Sequence, residues 1–314
     1  MSDQRFYSLD DLAALPKPQW LIEGLFERDS LTMLAAPSYS FKSFMAVDWL
    51  CHMASGRQWN KRQTVPSKVC YILGEGKASL YKRIMGWVKY HKLTAEEYQR
   101  LKDNFVVTFV VPQLAAKETV DEMLEDLAEV GFNPTVVVID TFARSLVGLD
   151  ENSQKDTGLW VEQADRLRKL GMAVIFLHHT KKNTEFGAQY RGSSVIMAGM
   201  DTALLMTRDF ATNRATLEVT KQKDHDEGPK MVFQQVLVGR KDDGTDSMVL
   251  VPTITVTTTS AAENQQMDAM IDTMLNDPTF DSDRARAREI SLNFNITEAG
   301  ALSRLLRRKK GDSC

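Results

Sequence analysis

A chain of 314 residues with 43% hydrophobic and 26% charged residues is long enough to bury a sizeable core, as one large domain or two smaller ones. Its formal net charge of −3 excludes a global nucleic-acid signature, so any DNA contact has to come from a local basic surface. The three cysteines, Cys51, Cys70 and Cys314, are odd in number and lack metal or disulfide-framework spacing. No signal-peptide pattern or membrane-length apolar run is visible, so a soluble cytoplasmic protein without a membrane partner is expected.

Residues 1–30 read as a lead-in segment, broken by Pro16 and Pro18. "LTMLAA" (31–36) is a short apolar run suited to a buried strand, and "SFMAVDWLCHMASG" (43–56) has helical periodicity ending at a C-cap glycine. "KVCYILGEG" (68–76) is a second strand, "ASLYKRIMGWVKYH" (78–91) an amphipathic helix, and "NFVVTFV" (104–110) a third strand. A helix over 118–131, the β-branched "TVVVID" (135–140), a helix over 156–171 and the strand "MAVIFLHH" (172–179) follow. Buried runs alternating with helices indicate βαβ units and a mainly parallel sheet.

After residue 200 the pattern changes. "DTALLMTRD", "RATLEVTKQKD" and "KMVFQQVLVG" are joined by short polar turns and read as antiparallel additions. "TITVTTTSAAEN" (253–264) resembles a linker, and the last fifty residues are helical. The expected fold class is α/β, with a mainly parallel central sheet, antiparallel additions and a small helical C-terminal tail. The expected division is a lead-in over 1–30, one α/β domain over 31–255, and a linker plus helical region over 256–314.

The loop after the first strand, "AAPSYSFKSF" (35–44), matches the phosphate-binding pattern G-x-x-x-x-G-K-[ST] at Lys42 and Ser43, with Ala36 and Phe41 at the glycine positions. Such a loop turns backbone N–H groups toward phosphates in front of a helix N-terminus, the lysine reaches the terminal phosphates, and the hydroxyl binds Mg²⁺. Ala36, Pro37, Ser38, Tyr39, Ser40, Phe41, Lys42, Ser43 and Phe44 are therefore the candidate ATP cradle. The position before the lysine is expected to be entering the helix with ordinary α dihedrals, which tolerates Phe41. A plain strand–turn–helix with a surface lysine is the competing reading.

Glu75 ends the second strand between Gly74 and Gly76, at the edge where parallel sheets bind ligands, and can deprotonate an attacking water. A solvated loop glutamate is the competing reading, against which stand the flanking glycines that permit a tight turn. Asp140 closes "TVVVID", the way P-loop NTPases hold Mg²⁺ together with the loop hydroxyl. His178 and His179 alternate faces at a strand end, so they do not bind one metal together. "KKNTEFGAQYRGSS" (181–194) makes Lys181, Lys182 and Arg191 candidate phosphate contacts to DNA, and Lys221 and Lys223 share one face of a strand end. Solvated surface accounts for each of these individually.

The order of these features, with the phrases "SGRQW", "VCYILGEG…YKRI…W", "VVVIDTFAR" and "LHHTKK…RGSS…D", resembles the hexameric RecA-like ATPases, specifically the RepA-type replicative helicases of plasmids and phages. The resemblance covers about residues 20–240 and implies a RecA-like P-loop ATPase core. It implies that Lys42 and Ser43 bind phosphates and Mg²⁺, that Asp140 is the Walker B acid, and that Glu75 is the catalytic base. His179 matches the γ-phosphate-sensing glutamine of DnaB-type helicases, and Arg191 lies near the central DNA-binding loops. Lys221 and Lys223 match a pair that reaches into the neighbouring subunit's ATP site, which requires a ring or filament. Two departures are the absent loop glycines and a lysine in place of an arginine finger, which presents a point charge instead of a bidentate fork.

The resemblance implies an ATP- and Mg²⁺-dependent single-stranded-DNA translocase, a homo-oligomer expected to be a hexamer, with a separate primase or single-strand-binding protein as partner. A RecA-like recombination ATPase forming filaments and a weakly hydrolysing regulatory module are the alternatives. In the tail, Ile296 and Thr297 open a possible helix-turn-helix-like second helix, with Arg304, Arg307, Arg308, Lys309 and Lys310 near its end; charge complementing the helix C-terminus is the simpler account.

Overall fold

The computed structural model describes residues 6–14, 17–180, 194–226, 228–239, 246–253, 261–275, 277, 280–294 and 298–309. In chain order the elements are α1 (Leu9–Ala13), β1 (Trp20–Ile22), β2 (Phe26–Glu27), β3 (Leu31–Ala36), α2 (Lys42–Ser55), β4 (Val69–Leu73), α3 (Lys77–His91), α4 (Ala95–Asp103) and β5 (Phe105–Thr108). There follow α5 (Lys117–Glu129), β6 (Val136–Asp140), a 3₁₀ turn (Phe142–Leu146), α6 (Gln154–Lys169), β7 (Ala173–His179) and α7 (Ser194–Gly199). The chain continues with β8 (Thr202–Asp209), β9 (Arg214–Gln222), β10 (Met231–Val238), β11 (Ser247–Thr253), α8 (Ala261–Leu275), α9 (Asp283–Phe294) and α10 (Glu298–Lys309).

Nine strands form one sheet in the order β11-β10-β9-β8-β3-β7-β6-β4-β5. The strands from β5 to β3 are parallel, and β3, β4, β6 and β7 read as continuous apolar runs because both faces are covered, whereas the edge strand β5 is only partly buried. Alternate residues feed two cores. Leu34, Val69, Tyr71, Val136, Val138, Ile175 and Leu177 face one side, while Leu31, Met33, Ile72, Val137, Ile139, Val174 and Phe176 face the other. This is the α/β architecture expected from the sequence, a mainly parallel central sheet with antiparallel additions and a helical tail.

Several elements differ from expectation: β11 (Ser247–Thr253) is an unanticipated edge strand, and the expected linker over 253–264 is cut at both ends, since Thr253 closes β11 and α8 already starts at Ala261. β8 pairs parallel with β3 (Thr32↔Thr202) and antiparallel with β9, so "DTALLMTRD" belongs to the parallel core on one side. The chain returns between β7 and β8 to the starting edge of the sheet, and α7 lies on that return, so β8 runs in the same direction as β3. A helix over Ala95–Asp103 was not anticipated; its signature is a capping box, in which Thr94 Oγ1 accepts from Glu97 N at 3.2 Å and Glu97 Oε2 accepts from Thr94 N at 2.8 Å. Residues 20–27, within the expected lead-in, form an antiparallel hairpin that buries Leu21, Ile22, Leu25 and Phe26 in the main core.

The tail helices close on their own apolar cluster, which includes Met267, Ile271, Ile290, Ala301 and Leu305. The basic residues of α10 are used locally: Arg304 pairs with Asp268 at 2.8 Å, Arg308 with Asp272 at 2.6 Å and Lys309 with Asp283 at 3.0 Å. Ile296, Thr297 and Lys310 lie outside the described residues. Among the described residues, no helix is long and apolar enough to cross a membrane.

Candidate nucleotide site

The C-terminal ends of the parallel strands meet at one edge of the sheet. Ala36 pairs with His179 and Leu73 with Asp140, so the loops after β3, β4, β6 and β7 converge there, where open α/β sheets bind ligands. A cavity of about 320 Å³ opens at that edge, lined by Tyr39 to Phe44 together with Glu75, Asp140 and His179. Residues from four separate parts of the sequence are thus brought round one space.

The loop over 37–41 leads into α2, whose first-turn N–H groups lie at this cavity and are suited to bind an anion. Ala36 is the last strand residue and fully buried, a position a methyl group fills without a special dihedral. Lys42 is 7% exposed. Its Nζ donates to the carbonyls of Ala36 and Pro37, both at 2.9 Å, and lies 3.2 Å from His179 Nδ1. Burial pulls the Lys42 ammonium down to about 8, against the opposing influence of Asp140 and Glu75.

Phe41 departs from the expected α dihedrals. It caps α2 in the left-handed region at φ 67°, and Tyr39 is also left-handed at φ 65°. The position where the motif has glycine therefore does need positive φ. Side-chain packing holds it. The Phe41 ring is buried edge-on to Phe44, with centroids 6.3 Å apart, and the Arg208 guanidinium lies 4.0 Å from its centroid. Arg208 Nη1 also donates to the Tyr39 carbonyl at 2.9 Å, which fastens both left-handed residues to β8.

Arg208 lines the cavity and was not anticipated, and neither was Arg83 of α3, which sits 4.4 Å from the Phe44 ring centroid. The sequence signal is limited to the two aromatics of "FKSF" and the arginines of "YKRI" and "TRDF", and only the fold puts those segments side by side.

Asp140 is 3% exposed and accepts from Tyr71 Oη at 2.7 Å. Burial raises its carboxyl above the ordinary value, while hydrogen bonds from Ser43 and Tyr71 and the charge of Lys42 oppose that rise. The Ser43 hydroxyl and the Asp140 carboxylate are thus in contact, a pair of hard oxygen donors whose chemistry fits Mg²⁺. The Asp140–Thr141 peptide is cis.

Glu75 is half-exposed at the cavity mouth, its Oε1 2.9 Å from Arg144 Nε. Gly74 leaves space for this approach: a Cβ there would lie 3.0 Å from Arg144 Cγ and 3.1 Å from the Asp140 carbonyl, a tight fit that would press on both. His179 faces Lys42, while His178 turns to the opposite core, stacked on Phe142 at 5.0 Å with Nδ1 2.8 Å from its neighbour's carbonyl.

Lys221 and Lys223 are not brought to this cavity. Lys221 pairs with Ala203 near the start of β8, at the opposite edge of the sheet. A bulge between Ala203 and Leu204 disturbs the register, and the two lysines differ in environment. Lys221 Nζ donates to the carbonyls of Met197 (2.8 Å) and Ala198 (3.4 Å) at the end of α7, whereas Lys223 is 64% exposed and 3.9 Å from Asp201. Lys181, Lys182 and Arg191 lie outside the described residues.

Residues 4–185 match the family model AAA_25, described as an AAA domain. No curated protein matches the chain in sequence. Among solved structures, a crystal structure of the RadB recombinase aligns at 16% identity over 66% of this chain and 87% of its own, with a TM-score of 0.47. A KaiC-like protein from the hyperthermophilic archaeon Pyrococcus horikoshii OT3 aligns at 14% identity over 74% of this chain and 94% of its own, also with a TM-score of 0.47. The family match spans more than half of the chain and takes in the whole phosphate loop, Glu75, Asp140 and His179. On that match the chain belongs to the AAA_25 family of AAA-domain proteins.

Proposed function

We propose that the chain is an ATP-driven motor that translocates on single-stranded DNA and unwinds duplex as a ring-forming replicative helicase. The observation that carries the reading is the separation of two parts of one machine. The cavity gathers Lys42, Ser43, Glu75, Asp140 and His179 at one edge of the sheet, while the exposed Lys223 lies at the other. A cation placed there serves the ATP site of a neighbouring copy and not its own.

In this reading Ser43 and Asp140 hold Mg²⁺, and Lys42 leaves the loop carbonyls to take the terminal phosphates of ATP. Bound Mg²⁺ neutralises charge developing on the phosphates. Glu75 leaves Arg144, orients the attacking water and accepts its proton. His179, beside Lys42, senses the γ-phosphate, and Lys223 of a neighbour stabilises the transition state as a point charge. The segment 181–194, with Lys181, Lys182 and Arg191, follows the DNA backbone through a central channel of a cytoplasmic hexamer. Residues 31–255 form the motor and 256–314 a separate helical module, and a primase or single-strand-binding protein acts beside it.

A lysine finger also suits a filament-forming recombination ATPase. Strand displacement with ATP separates the two: robust DNA-stimulated hydrolysis without unwinding rejects the helicase. Particle images with nucleotide and single-stranded DNA, read as closed ring or open filament, decide the assembly.

A further inference from the structure

Behind the phosphate loop, α2 and α3 enclose a polar cluster that ATP hydrolysis does not use. Asp48, in the second turn of α2, is 5% exposed. Its carboxylate is held from two sides: Trp59 Nε1 donates to Oδ2 at 2.6 Å and Trp87 Nε1 to Oδ1 at 2.8 Å. His52, four residues on and on the same helix face, brings Nε2 to 3.5 Å from Oδ1. His91, the last residue of α3, brings its Nε2 to 4.0 Å. One ligand-capable atom from each of the three lies within 4.8 Å of the others.

Hydrogen bonding leaves the cluster incomplete. His91 Nε2 is buried without a hydrogen-bond partner, and so is Nδ1 of the 95%-buried His52. The two imidazole rings stand at 83° with centroids 4.9 Å apart, too steep to stack. A buried nitrogen aimed at a carboxylate oxygen from beyond hydrogen-bonding distance leaves room for a third party between them.

We propose that Asp48, His52 and His91 bind a divalent transition-metal ion, zinc being the best suited, through Oδ1 and the two Nε2 atoms. Two imidazoles and one carboxylate form a donor set that suits zinc, copper or nickel, whereas magnesium and calcium take oxygen. Tetrahedral zinc with ligands at about 2.0–2.1 Å requires ligand atoms roughly 3.3 Å apart. The Asp48–His52 pair is already close to that spacing, and His91, one-fifth exposed at a helix end, makes the remaining movement and admits water as the fourth ligand. The two indole N–H groups are the outer partners that orient a ligating carboxylate. Arg57, the nearby cation, is paired with Glu97 at 3.0 Å. Such an ion would tie α2, which presents Lys42 and Ser43, to α3, which carries Arg83, and so brace the two helices that frame the cavity.

The test uses the full chain, stripped with chelator and kept free of nucleotide and magnesium. Zn²⁺ is titrated against a chromophoric chelator, and Co²⁺ binding is followed by its visible absorption and by quenching of tryptophan emission. One tight equivalent per chain is expected, with tetrahedral cobalt bands and no thiolate charge-transfer band. His91→Ala, at the partly exposed helix end, should weaken it by more than ~100-fold, and Trp87→Phe by about 10-fold. Asp140→Asn, which disables the other divalent-cation position, should leave the equivalent in place. Absence of a tight equivalent in the native chain overturns the assignment whatever the variants do. So does undiminished binding in folded His91→Ala, loss of binding in Asp140→Asn, or a thiolate band.

Discussion

The Arg208 guanidinium lies 4.0 Å from the centroid of the Phe41 ring and at the same time donates to the Tyr39 carbonyl at 2.9 Å. This contact accounts for a phosphate loop without glycine. Two left-handed non-glycine residues cost about 1–2 kcal/mol each. A cation–π contact of about 0.5–2 kcal/mol and a charged hydrogen bond of about 1.5–3 kcal/mol are of a size to offset them. Arg208→Ala is therefore expected to weaken nucleotide binding about 10-fold or more, read as the Kd of a fluorescent ATP analogue. Arg208→Lys should recover only part of it, because a lysine cannot cover the ring and reach the carbonyl together.

Restoring the motif glycine should not improve the loop. Phe41→Gly removes the backbone strain but also a buried ring, and large-to-small changes of that kind cost about 3–5 kcal/mol, more than the strain recovered. A fall in thermal midpoint of several degrees is expected. A rise would show that the ring contributes little.

Lys42→Ala should reduce phosphate release to background while the fold, followed by circular dichroism, is kept. Unchanged turnover would mean that this loop is not the hydrolytic site.

Glu75 and Arg144 should separate chemistry from binding. Glu75→Gln is expected to lower kcat by about 10²–10⁴-fold with nucleotide affinity nearly unchanged. Arg144→Ala breaks a half-exposed ion pair, worth at most about 1 kcal/mol. It should raise hydrolysis in the absence of DNA by up to ~5-fold through release of the Glu75 carboxylate. A fall to the level of Glu75→Gln would instead make Arg144 part of the catalytic machinery.

Lys223 is best tested by mixing. Lys42→Ala and Lys223→Ala should each be inactive alone, yet subunits randomly combined should regain about a quarter of native activity, because one interface in four pairs an intact loop with an intact finger. A mixture as inactive as its components argues that Lys223 does not act between subunits.

Much of this was legible in the linear chain. The parallel strands announced themselves as unbroken apolar runs, since a strand covered on both faces has no polar side to display. Lys42, Ser43, Glu75, Asp140 and His179 were found because each ends or follows one of those strands, and parallel strands deliver their C-terminal ends to one edge. The helix over Ala95–Asp103 was missed, although its Thr94–Glu97 capping box is visible in the sequence.

What the chain alone determined is the identity and order of the groups around the nucleotide cavity, because those depend on strand periodicity and on the position of a residue within its own element. Tertiary structure decided how the loop tolerates Phe41, where the lysine pair sits, and which distant side chains meet. Arg208 reaches Phe41 across 167 positions only because β8 lies beside β3, and Asp48 finds Trp59, Trp87 and His91 only when α3 packs on α2. These are long-range contacts set by sheet order and helix packing, and no local periodicity encodes them.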